Sequence, residues 1–79
     1  MSISVLLVED DRDLSEEIAS FLEGAGFAVT CAGTIREAEG LLAEPRDLLI
    51  LDINLPDGDG LAFCKEARNY VRSGIVMCT

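Results

Sequence analysis

The chain has 79 residues, with fifteen acidic side chains against six basic ones and a net charge of -9. A chain this short forms at most one small domain, burying roughly 60% of the surface it exposes when unfolded. The acid excess disfavours a nucleic-acid backbone or an anionic membrane surface as partner, since both need clustered Lys and Arg. No stretch reaches the ~20 apolar residues that span a bilayer. The first residues lack the basic region of a signal peptide and meet acid at Glu9. Cys31, Cys64 and Cys78 are far apart, and with no His and no C-x-x-C pair they make no zinc site. Their apolar neighbours point to buried, reduced thiols in a cytoplasmic protein.

Predicted strands and helices alternate along the chain. Residues 3–8 are aliphatic apart from Ser4 and read as a first strand. Leu14, Ile18, Phe21, Leu22 and Ala25 then recur at helical spacing, with Asp13, Glu16, Glu17 and Glu23 on the other side. Gly24 and Gly26 end that helix. Residues 27–32 give a second strand. Thr34 with Glu37 forms a capping box, and the helix it opens buries Ile35, Ala38, Leu41 and Leu42 before Pro45 stops it. Residues 48–51 are a third strand, continuous in aliphatic side chains and so buried on both faces. A third helix starts at Gly58 or Asp59, turns Leu61, Cys64, Ala67 and Val71 inward, and breaks at Gly74. Residues 75–78 are a fourth strand.

Right-handed crossovers put helices on both faces of such a sheet only if the strand order reverses once. The order 2-1-3-4 does this and sets the first and third strands side by side, about 4.8 Å apart. Each of these strands ends in acid: Glu9, Asp10 and Asp11 after the first, Asp52 after the third. The carboxyl edge of an open α/β sheet is where ligands bind. Carboxylates converging there repel unless a counter-charge is present. An oxygen-rich pocket suits Mg²⁺, which takes one or two carboxylates and phosphate oxygens. The chemistry implied is phosphoryl transfer to the Asp52 carboxylate, forming an acyl phosphate.

The segments Val8-Glu9-Asp10-Asp11, the element L-D-x-x-L-P-x-x-D-G from Leu51 to Gly60, and the closing Val76-Met77-Cys78-Thr79 resemble the receiver domain of two-component response regulators. The resemblance covers the whole chain in order. It implies a flavodoxin-like (CheY-like) three-layer α/β fold with parallel strand order 2-1-3-4. Residues 1–79 would be a partial receiver that stops before the fifth strand and last helices. It implies a signalling module rather than an enzyme, one that accepts a phosphoryl group from a sensor histidine kinase. Asp52 would be the phosphoacceptor. Glu9, Asp10, Asp52 and the main-chain oxygen of Asn54 would hold Mg²⁺, and Thr79 would supply the switch hydroxyl. Pro56 and Gly60 would shape the loop that opens the third helix. The region from Pro56 to Arg68 looks most like regulators with a DNA-binding output, which makes transcription regulation the expected use.

The family's site lysine and switch aromatic have no match here, and Lys65 is placed on the wrong element to substitute. The alternative is therefore a phosphorylation-incompetent interaction fragment of such a regulator. The fourth strand would be a bare edge, expected to pair with another copy or with a complementing C-terminal half. A well-folded monomer in concentrated sedimentation runs would contradict that pairing. Asp11 and Asp13 read as helix-opening acids, and Asp57 and Asp59 as turn and cap residues. A calcium loop through Asp52, Asn54, Asp57 and Asp59 fails because Pro56 takes the third ligand place and Phe63 the twelfth position. An aspartate-nucleophile phosphatase would, by family comparison, want a second Asp where Asn54 stands.

Overall fold

The computed structural model describes residues 2–52, 55, 58 and 60–78, with only the backbone at 73 and 76–78. The elements run β1 (Ser4–Val8), α1 (Arg12–Gly24), β2 (Ala28–Ala32), α2 (Ile35–Leu41), β3 (Arg46–Asp52), α3 (Gly60–Ala67) and β4 (Val71–Cys78). All strand pairs are parallel and the order is β2-β1-β3-β4, as the sequence predicts. The order follows from crossover handedness. α1 carries the chain from β1 to one neighbour, while α2 and α3 carry it the opposite way, so they cover opposite faces.

The aliphatic runs fill the core. Val5, Leu6, Leu7, Val8, Leu49 and Leu51 are at most 1% exposed. Leu6, Val8, Leu49 and Leu51 pack with Ala38 of α2, with Leu42 at its C-terminal cap, and with Phe63 and Ala67 of α3. Val5 and Leu7 alternate to the other face, where α1 packs across β1 and β2.

That second face explains one correction. Leu14 and Phe21 are 42% and 77% exposed, and Ala25 is exposed, so the predicted inward stripe of α1 is only partly covered. Among the described residues α1 is the only helix on this face, and it packs on β2 and β1, leaving β3 less covered. Leu48 and Ile50 are accordingly half-buried. Leu61 is 56% exposed at the first turn of α3. Val71 belongs to β4, not to the third helix: α3 ends at Ala67, and β4 starts earlier than the β-rich 75–78 run suggested. An extra residue bulges β4 where Arg46 pairs with Val71 and Leu48 with Gly74. Helical spacing between Ala67 and Val71 is a coincidence of period that the strand pairing overrides.

Local chemistry sets the ends. Asp11 caps α1 by accepting from the Leu14 N–H at 3.2 Å, and Thr34 caps α2 by accepting from the Glu37 N–H at 3.1 Å. Gly26 takes φ 98°, a left-handed turn that stops α1. Arg46, 7% exposed, donates from Nε and Nη2 to the Leu41 carbonyl and from Nη1 to Thr30 Oγ1. It joins the C-terminal end of α2 to two strands and satisfies carbonyl lone pairs the helix leaves open.

Candidate metal and phosphoacceptor centre

Val8 pairs with Leu51, so Glu9 and Asp52 are next in register at the carboxyl edge of the two central strands. One carboxylate oxygen from each of Glu9, Asp10 and Asp52 lies within 4.8 Å of the others. The predicted convergence of these three side chains is therefore present. Asp52 is half-buried as the last residue of β3, Glu9 is 8% exposed, and Asp10 is exposed. The two other sequence-predicted groups, the Asn54 main-chain oxygen and the Thr79 hydroxyl, lie outside the described residues, as do Pro56, Asp57 and Asp59.

The β1–α1 turn fixes the cluster by hydrogen bonds in sequence. The Glu9 N–H donates to the Ala32 carbonyl at 3.0 Å, which holds the end of β1 to β2. The Asp11 N–H donates to Glu9 Oε1 at 3.1 Å, which aims the Glu9 carboxylate. Asp11 uses its own carboxylate to cap α1, which confirms its reading as a helix-opening acid. On the other side, a Cβ placed on Gly58 would lie 2.9 Å from Ile35 Cδ1, so Gly58 lies hard against α2. Gly60 starts α3 and is buried.

Burial pushes the Glu9 carboxyl above its ordinary value of 4.5. The Asp11 N–H opposes that rise, while the Asp52 charge and hydrogen bonds with Asp10 and Asp52 add to it. Facing carboxylates that raise proton affinity in this way are equally disposed to take a metal cation. The donor set of these three side chains is all oxygen, which fits a hard divalent ion such as Mg²⁺.

Beside the cluster a cleft of about 280 Å³ is lined by Glu9, Asp10, Arg12, Glu16, Cys31 and Glu37, among others. Cys31 is exposed and Cys64 half-buried, which corrects the expectation of buried thiols for these two; the Cys78 side chain lies outside the described residues. Cys31 stands on β2, an outer strand among the described residues, and its side chain opens to the cleft. Sequence reasoning also passed over Arg12, which the first turn of α1 brings to this cleft. The available signal was a cation between Asp11 and Asp13, at the helix end that favours anions.

Comparison with known proteins agrees with this geometry. The profile of the response regulator receiver domain family matches residues 5–79. The transcriptional regulatory protein AruR of Pseudomonas aeruginosa is 40% identical over 81 residues, covering 95% of this chain and 33% of that protein. The chemotaxis response regulator CheY4 of Vibrio cholerae superposes with a TM-score of 0.90 at 30% identity, covering 98% of this chain and 68% of that one. A two-component response regulator from Clostridium difficile gives 0.88 at 34% identity, covering 96% and 64%. The chain spans about a third of the length of the curated relatives it matches.

Proposed function

We propose that this chain, which belongs to the response regulator receiver domain family, takes a phosphoryl group from a sensor histidine kinase onto Asp52 in the presence of Mg²⁺. The observation that carries the reading is the meeting of Glu9, Asp10 and Asp52 at the end of two adjacent buried strands. A carboxylate at a strand end is held by the sheet, so its position costs little to maintain and its approach line is fixed. An Asp52 oxygen attacks phosphorus, the donor's P–N bond breaks, and the imidazole leaves carrying a proton. The aspartyl phosphate that remains is an acid anhydride that water can later hydrolyse. A bound Mg²⁺ supplies charge neutralisation for the phosphoryl oxygens at this site.

Glu9 and Asp10 are the side chains that would hold the ion together with Asp52. The Asn54 main-chain oxygen would be a further ligand, and Thr79 the hydroxyl that bonds the transferred group. Residues 1–79 form a partial receiver domain, placed in the cytoplasm. No described helix is long and apolar enough to cross a membrane, which is compatible with that placement. The relatives are transcriptional regulators, and transcription control is the output proposed here. β4, an outer strand among the described residues, offers its free edge to a second copy or to complementing chain.

Incubation with acetyl phosphate and Mg²⁺, read by intact mass, tests the proposal. One added phosphoryl group is expected, abolished by Asp52→Asn and by chelation of the metal. Addition that survives Asp52→Asn would remove Asp52 as acceptor.

A further inference from the structure

Among the described residues, Arg12 is the only basic one lining the cleft beside the acid cluster, where Glu9, Asp10, Glu16 and Glu37 also face. It is exposed, and among the described residues its side chain forms no hydrogen bond or ion pair. It is also the first residue of α1, where exposed N–H groups and the helix dipole disfavour a cation. The helix does not need it: Asp11 caps this end and Asp13 supplies the acid of the first turn. Elsewhere the basic residues have other settings. Arg46 is bound to Leu41 and Thr30, Lys65 closes α3, and Arg72 lines a cleft with Pro45 and Tyr70.

We infer that Arg12 is a donor-positioning residue: its guanidinium grips the phosphoryl oxygens of the incoming phosphodonor at the mouth of this cleft and hands them toward Asp52. This rests on the phosphoacceptor reading above. The chemistry suits the task. A planar guanidinium binds phosphate oxygens through paired N–H groups, and Arg stays charged at any working pH. A dianionic donor approaching three carboxylates meets repulsion, and a cation on the rim offsets part of it. Glu9 and Asp10 are shared between the cleft and the acid cluster, so a group held by Arg12 is already at the edge of the centre. The residue contributes to binding of the donor and not to the bond-making step. Its signature is therefore in KM.

The test compares Arg12→Ala, Arg12→Lys and, as a control for net charge, Arg68→Ala at the exposed position just after α3. Initial rates of labelling by acetyl phosphate with saturating Mg²⁺ give KM and kcat, and calorimetry gives Mg²⁺ affinity. Arg12→Ala should raise KM about tenfold with kcat and Mg²⁺ affinity held, Arg12→Lys should recover part of the loss, and Arg68→Ala should match the unaltered chain. An unchanged KM in Arg12→Ala overturns the inference. So does an equal rise in Arg68→Ala, or a loss traced to Mg²⁺ affinity. A parallel titration with inorganic phosphate and Mg²⁺ follows the Arg12 Nε–Hε resonance by NMR. If the unaltered chain takes no label, the phosphoacceptor reading fails. A phosphate-dependent shift at Arg12 then still supports the anion contact, and no shift overturns it.

Discussion

Glu9 is the residue at which assembling the site costs the metal-free chain stability. Its folded pKa lies above the ordinary value of 4.5, chiefly through burial and then through the facing acids. An acid with a raised folded pKa contributes stability that is complete below the unfolded value and is lost as pH rises through the folded one. The metal-free chain should therefore weaken as pH climbs upward from about 4.5. Glu9→Gln should remove that slope, leaving the metal-free chain more stable than the unaltered one at pH 7 and level with it at acid pH. The same change should lower Mg²⁺ affinity by more than about tenfold, or about 1.4 kcal/mol. Urea unfolding across pH with chelator, paired with Mg²⁺ calorimetry, reads both. A Glu9→Gln chain that binds Mg²⁺ undiminished contradicts the ligand role. The three carboxylates were legible in the sequence because acid directly after a buried aliphatic run must lie at the edge of the sheet, where ligands bind. Arg12 was passed over: its place between Asp11 and Asp13 marks it as a cation at an anion-favouring helix end, but only the fold shows that this end lies beside the acid cluster.

At the scale of elements, the capping signals were the most readable part of the chain. Thr34 followed by Glu37 predicted the start of α2, and the Thr34 hydroxyl accepts the Glu37 N–H as expected. Thr34→Ala should cost about 1 kcal/mol of stability in denaturant unfolding, with labelling at Asp52 unchanged. A loss of labelling without a loss of stability would mean that α2 acts on the site more directly than through its cap. The junction of α3 and β4, which has no capping residue, was misread. Val71 carried a helical spacing that β4 overrode once Arg46 supplied a pairing partner in β3. Leu14 and Phe21 carried a core pattern that the sheet could not cover, because periodicity reports which side chains share a face and not whether anything lies opposite.

For the whole molecule, topology brings the functional groups together. A radius of gyration of 11.3 Å is close to the about 11.6 Å expected for a packed chain of this length. The strand order, predicted from crossover handedness, is what joins distant acids: 43 positions separate Glu9 from Asp52. The two faces are unequal, with α2 and α3 on one and α1 on the other. That inequality was not legible, since it depends on how wide a surface each helix meets. The central claim is that Glu9, Asp10 and Asp52 share one divalent ion. Substoichiometric Mn²⁺, a paramagnetic oxygen-seeking stand-in for Mg²⁺, tests it through line broadening of backbone amides. The account predicts broadening centred on Glu9, Asp10 and Asp52 and competed away by Mg²⁺. Broadening centred instead on the acidic face of α1, at Asp13, Glu16 and Glu17, would contradict it.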